Sequence, residues 1–291
     1  MLVTVFTPLF NREHSIKAVY DSLCRQTCKD FEWFVINDGS TDASGMIMDE
    51  IVAHHDQSFP IRYIFRENLG LMATLNEGIS AAKGELFMRL DSDDSALPDA
   101  IQLISENYGK IKDDPKVCAL AFRAVDYKNT LVGTHPFERP EISDFASFRD
   151  FYSAEGDRSE IMKVEIYQKY PFPMIEGEKF CPEGLVWNRI ASQYNALYMT
   201  EAIYKKSMPD DSITAHVYHY LKKNCKGTTL YYREIVSSNR FSVKYRLLNA
   251  IKFYRYVFFS GENPFSGIPL LYAMVGLPLG LLVVLYDRIK H

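Results

Sequence analysis

The sequence predicts an α/β fold, a mostly parallel central sheet flanked by helices, with a separate helical module at the C-terminal end. Three observations carry this. Short apolar runs alternate with segments of helical spacing over the first hundred residues, each of those runs ends in a polar loop, and composition shifts near Ser237. The chain has 291 residues, 47 % of them hydrophobic and 24 % charged, which is enough apolar material for one large or two small domains.

The first run, Leu2–Phe6, leads directly into a polar loop. It reads as the opening strand of a fold, because a secretory signal needs a basic start and a longer apolar stretch. Ile16, Val19, Tyr20 and Leu23 fall at i, i+3, i+4 and i+7, placing one apolar stripe on a helix from about Glu13 to Gln26. Phe31–Ile36, Ile61–Phe65 and Glu85–Leu90 read as the next strands, and Ala43–His54 and Met72–Ala82 as the helices between them. Pro98 is suited to open a further helix through Ile101, Ile104, Tyr108 and Ile111. This alternation implies crossover units, and hence parallel strands whose carboxyl ends bind ligands. After about Val117 the pattern is mixed. A strand-like Val117–Ala124 precedes a loop-rich stretch with Pro136, Pro140, Pro171 and Pro173, then a helix over Glu183–Tyr194 and a strand over Ala196–Met199.

Function is therefore sought in four loops at the strand ends. They are Thr7-Pro-Leu-Phe-Asn-Arg12, Asn37-Asp-Gly-Ser-Thr-Asp42, Arg66-Glu-Asn-Leu-Gly70 and Asp91-Ser-Asp-Asp94. Asp91 and Asp93, two residues apart, share a hard divalent cation if the turn folds them towards one point. Mg²⁺ or Mn²⁺ held this way keeps waters and takes further oxygens from a substrate's phosphates. The alternative is a solvated acidic turn in which Asp94 or Ser95 caps the next helix. Gly39 and Asp42 suit a strand-to-helix turn, which leaves Asp38 free to accept hydrogen bonds from a base or ribose.

The charge balance excludes some classes. Thirty-three cations against 37 carboxylates, a formal −4, provide no general basic field for nucleic acid. Five scattered cysteines without a C-x-x-C pair suggest free thiols in a reducing compartment.

Taken together, T-P-L-F-N-R at 7–12, D-G-S-T-D at 38–42, N-L-G at 68–70 and L-D-S-D-D at 90–94 resemble glycosyltransferase family 2, inverting enzymes with the Rossmann-like GT-A fold. The resemblance covers about the first 125 residues. It implies a nucleotide-sugar site that draws on Thr7, Pro8, Phe10, Asn11, Asp38, Asn68, Gly70, Arg89, Asp91 and Ser92. Pro8 and Phe10 would line the base pocket, Asp38 would contact the nucleobase, and Asp91 and Asp93 would hold Mn²⁺ or Mg²⁺ and the sugar-nucleotide. Inversion needs a general base for the acceptor hydroxyl. In this family it is an Asp or Glu some ninety residues past the metal motif, often as Glu-Asp. No Glu-Asp occurs in that region, and the best match is Glu183 in Lys179-Phe-Cys-Pro-Glu-Gly184, with Glu178 and Glu176 in reserve. Met208–Thr214 reads either as a loop closing over the donor or as an ordinary turn. His216 and His219 have metal-like spacing without an evident third ligand and read as surface or packing residues.

The last module lacks acidic residues between Glu234 and Glu262. Leu247, Ile251, Tyr254 and Phe258 keep helical spacing among Arg246, Lys252 and Arg255. Such a basic amphipathic helix either lies on an anionic bilayer or packs on the preceding domain. Ile268–Tyr286 then carries no charge, but Pro269, Pro278, Gly276 and Gly280 interrupt it, so a shallow or re-entrant membrane segment fits better than a clean span, with a buried core helix as the third option. The domain expectation is a catalytic domain over 1–236, divided at 95 into nucleotide-sugar and acceptor halves, and a membrane-associating segment over 237–291. The functional expectation is inverting transfer from a UDP-type sugar to a glycan hydroxyl, lipid-linked, at the cytoplasmic face of a bacterial membrane, in surface polysaccharide synthesis. Two rivals are a sugar-nucleotide nucleotidyltransferase, disfavoured because Thr7–Arg12 holds no glycine, and a non-catalytic membrane-associated binding module, which need not retain metal carboxylates.

Overall fold

In a computed structural model, which describes residues 1–207 and 216–290, the chain begins β1 (Val3–Leu9), α1 (Ile16–Cys24), β2 (Phe31–Asp38), α2 (Ser44–His54), β3 (Ile61–Arg66), α3 (Leu71–Ser80) and β4 (Leu86–Arg89). Next come β5 (Ser95–Ala96), α4 (Ala100–Tyr108), β6 (Val117–Val125), β7 (Glu141–Ser143), α5 (Phe145–Arg149), β8 (Arg158–Lys163) and α6 (Val164–Tyr167). The remainder is α7 (Gly184–Ile190), β9 (Asn195–Lys205), α8 (Val217–Lys223), α9 (Cys225–Ser237), α10 (Val243–Ser260) and α11 (Leu270–Lys290). The donor-loop candidate Met208–Thr214 lies outside the described residues. The fold divides into a first unit (Met1–Asp144, Ala154–Pro171, Gln193–Asp210) and a second (Phe145–Ser153, Phe172–Ser192, Asp211–His291).

The first unit is built on one sheet in the order β3-β2-β1-β4-β8-β6-β9-β5, with β7 paired to β9. β1 runs parallel to β2 and β4, and β2 to β3, because each connection passes through a helix. β2 is buried along its whole length, as a strand covered on both faces requires, and Trp33, Phe34 and Val35 fill the interior. Burying each such side chain fully is worth roughly 1.5–3 kcal/mol. At the amino edge Glu32 is buried but satisfied by Thr4 Oγ1 at 2.7 Å, Lys83 N at 3.1 Å and Arg62 Nη1 at 3.0 Å. The far half of the sheet is mixed, with β8 antiparallel to both β4 and β6, and β6 parallel to β9. β9 continues six residues beyond the expected Met199 because register shifts against β6 let it keep pairing. β8 was not expected, since Arg158-Ser-Glu-Ile-Met-Lys163 has only two central apolar residues and is buried by its neighbours.

The second unit packs α9, α10 and α11 around Tyr232, Ile235, Phe253, Tyr254 and Tyr272. The buried face of α10 is Ala250, Phe253, Tyr254 and Val257, while Phe258 of the expected stripe is exposed. This rotation follows from packing on two helices, which a single stripe does not describe. α11 runs unbroken through Pro278, where the sequence suggested an interruption. Its Gly276-x-x-x-Gly280 face admits α10 closely, a small-residue contact that fixes one helix on the other. A Cβ on Gly276 would lie 2.9 Å from Ala250 Cβ, and one on Gly280 would overlap Tyr254 Cβ and sit 3.0 Å from Ile251 O. Gly280→Val is therefore expected to destabilise the second unit by about 1–3 kcal/mol through overpacking. An unshifted denaturation midpoint would show that this helix contact is unimportant.

Candidate active site

The four polar loops meet at the carboxyl edge of β1, β2, β3 and β4, and hydrogen bonds stitch them into one surface. Asn11, at a φ of 50°, accepts Thr41 N–H on Oδ1 at 2.8 Å and donates its own N–H to Ser40 Oγ at 2.9 Å. Glu13 and Asp42 exchange places: Glu13 N–H donates to Asp42 Oδ2 at 3.0 Å, and Glu13 Oε2 accepts Ala43 N–H at 2.7 Å. The Ser15 hydroxyl donates to Ser92 O at 2.7 Å, which ties the start of α1 to the acidic turn. Thr7 is fully buried and accepts from Trp33 Nε1 at 3.0 Å, Pro8 is half-buried, and Phe10 is 46 % exposed.

Asp38 is held from several sides. Its carboxylate accepts Leu69 N–H at 2.9 Å and Gly70 N–H at 2.8 Å, and Arg66 Nη1 lies 2.6 Å away. The Asn68 amide donates to Asp38 O at 2.8 Å. Gly39, at a φ of 74°, lets the two loops approach, since a Cβ there would stand 2.7 Å from Asn68 N. Gly70, with φ at 93°, points its N–H back at the carboxylate. Arg66 also pairs with Glu77 at 3.1 Å. Sequence reasoning missed Arg66, although a cation at the end of the strand beside the Asp38 loop was the available signal.

At the fourth loop, Arg89 grips Asp91 in a two-pronged ion pair at 2.5 and 3.0 Å. Arg12 reaches Asp93 at 3.9 Å. Asp94 is buried and accepts Ser207 N–H at 2.8 Å. Burial, reinforced by Asp91, raises the Asp93 pKa against the pull of Arg12, and the same two causes push Asp94 up to about 8. The turn is thus over-supplied with negative charge, unlike buried Glu32. Among the described residues there is no cluster of three or more metal-ligating side chains. Two carboxylates still suit a cation that takes its other oxygens from water and a diphosphate, and each Asp91 oxygen keeps lone-pair capacity beside Arg89.

Glu183 belongs to the second unit, half-buried directly before α7, with its carbonyl accepting Val186 N–H at 3.0 Å. Glu178 is committed elsewhere: its two oxygens accept Lys226 and Gly227 N–H at 2.8 Å each, at the start of α9. Glu176 is exposed.

Residues 4–168 match the family model described as glycosyl transferase family 2. The glycosyltransferase GlyA of Streptococcus pneumoniae is 38 % identical over 102 residues, 35 % of this chain, and the chain spans 14 % of that relative's length. The S. aureus TarS structure in complex with UDP-GlcNAc superposes with a TM-score of 0.67 at 17 % identity, over 97 % of this chain and 80 % of that one. The mannosyltransferase PcManGT from Pyrobaculum calidifontis, in complex with GDP-Man and Mn²⁺, gives 0.57 at 18 %, over 99 % of this chain and 75 % of that one. These likenesses show the GT-A-like α/β fold.

Proposed function

The chain belongs to glycosyl transferase family 2, and from that premise we propose that it transfers a sugar, with inversion, from a UDP-sugar to a hydroxyl of a lipid-linked glycan acceptor. The observation that supports this best is the single surface made by four stitched loops, with Asp38 at one end and Asp91 and Asp93 at the other. Pro8 and Phe10 flank the base, and Asp38, fixed by Arg66, offers its remaining lone pairs to the base edge. Asp91 and Asp93 are the residues that would hold a divalent cation, and such a cation would supply Lewis-acid neutralisation of the diphosphate leaving group. Glu183 takes the proton of the attacking hydroxyl. The complexes of TarS with UDP-GlcNAc and of PcManGT with Mn²⁺ favour the same kind of donor and metal here. A panel of nucleotide-sugars, screened for Mn²⁺-dependent hydrolysis and thermal stabilisation, tests the reading. No response to any of them would sink it.

A membrane location is supported by α11. Leu270–Asp287 is the one described stretch long and apolar enough to cross a membrane, and only a third of it is buried. Leu270, Leu271, Met274, Leu282 and Leu285 are all more than half exposed. We place this face in the inner leaflet of a bacterial membrane, where a soluble donor meets a lipid-linked acceptor of surface polysaccharide synthesis. Replacing Leu271 and Leu282 together with glutamate leaves the α10 contact intact. The double variant is expected to leave the membrane fraction with its melting temperature unchanged. Continued sedimentation with membranes, or a wild-type chain that is soluble without detergent, counts against this placement.

A further inference from the structure

Along α10, Tyr256 stacks on Tyr232 of α9, with Phe253 and Val257 buried beside it, and Ala250 and Tyr254 meet Gly276 and Gly280 of α11. One stripe of the helix is left open. Lys244, Leu248 and Lys252 fall at i, i+4 and i+8, and all three are exposed. Phe259 continues the stripe seven residues beyond Lys252, and Lys222 of α8 sits over its ring at 4.8 Å, bringing a third ammonium group to that end. The charge around the stripe is one-sided. Between Val217 and Asp287 the chain has three carboxylates, Glu234, Glu262 and Asp287. An arginine holds each of them: Arg189 at 2.6 Å, Arg233, and Arg255 at 2.7 Å, in that order. Among the described residues no ion pair joins Lys222, Lys223, Lys244 or Lys252 to a carboxylate. Burial and then Arg255 lower the Lys252 pKa, with no carboxylate acting against them.

α11 runs parallel to α10, with Arg246 stacked on Tyr272 at 4.3 Å near one end and Arg255 paired with Asp287 near the other. The lysine stripe and the exposed apolar face of α11 therefore extend over the same length. A helix that carries Lys252 and Arg255 does not accompany α11 through the centre of a bilayer, where a charge is costly. The pair suits a position in the plane of one leaflet, its apolar side chains at the acyl boundary and its lysine stems reaching back to the headgroups. We infer that Lys222, Lys244 and Lys252 bind the phosphates of anionic phospholipids, so that charge holds the chain on an acidic bilayer together with α11. This rests on the membrane placement of α11, while the preference for acidic lipid rests on the lysines.

Flotation of the full chain with vesicles of phosphatidylcholine, alone or mixed with phosphatidylglycerol, tests it. Each lysine near an acidic surface is worth about fivefold in binding, so the mixed vesicles are expected to bind about tenfold or more tightly. High salt is expected to remove that advantage and to leave binding to phosphatidylcholine unchanged. Lys244→Gln combined with Lys252→Gln is expected to weaken binding to the mixed vesicles by about tenfold, with the melting temperature and the binding to phosphatidylcholine kept. Equal binding of the wild type to both vesicles overturns the inference, and so does wild-type affinity in the double variant. Should that variant fail to fold, the salt series on the wild type decides, and a preference that high salt leaves unchanged overturns the inference. Binding to neither vesicle counts against the membrane placement of α11 and removes the inference with it; a dimer in solution would then give the apolar face to a second copy.

Discussion

Asp93→Asn is expected to lower sugar transfer about a thousandfold or more while leaving the protein folded. The substitution keeps shape and removes one charge from the turn. A metal's stabilisation of a leaving diphosphate is worth several kcal/mol, and about 4 kcal/mol corresponds to three decades in rate. Stability should move the other way or not at all. Burial and Asp91 raise the pKa of Asp93 in the folded chain, so its ionised form is disfavoured by folding at neutral pH, and asparagine removes that penalty. The measurement pairs initial rates at saturating Mn²⁺ with a thermal melt. Wild-type turnover in the variant would remove Asp93 from the metal site, and a collapsed melt would make it structural.

Glu183→Gln is the second large effect. A lost general base costs about 10²–10⁴-fold in the chemical step, so transfer should fall by that factor with UDP affinity unchanged. Glu178 supplies the control. Its carboxylate holds the first N–H groups of α9, so Glu178→Gln should lower stability by about 1 kcal/mol through a weakened helix start. Full transfer activity in Glu183→Gln would move the base elsewhere, and Glu176 would then be tested.

Most of the parallel half of the sheet could be read directly. Each of its strands is a short apolar run; the first helix keeps 3.6-residue apolar spacing, and the next two have helical length and composition. Helix ends were less legible: the expected Glu13–Gln26 is Ile16–Cys24, because Glu13 is spent on the Asp42 loop and the Ser15 hydroxyl on Ser92. The tail was legible in composition and misleading in detail. Pro278 and the two glycines looked like breaks, yet Gly276 and Gly280 are the surface on which α11 meets α10.

The amino-acid sequence alone determined the alternating elements, the loops at their ends, and the placing in those loops of Asp38, Asp91 and Asp93, the groups to which we propose to assign the function. Each of these is written in a contiguous stretch, where spacing along the chain equals position on a strand or helix. Tertiary structure alone decided that Arg66 locks Asp38 and that Glu178 belongs to a helix start. It also decided that β8 enters the sheet antiparallel. Those facts depend on which segments become lateral neighbours, and lateral register joins residues tens of positions apart. No local period records that choice, because it is made by the burial of the whole sheet.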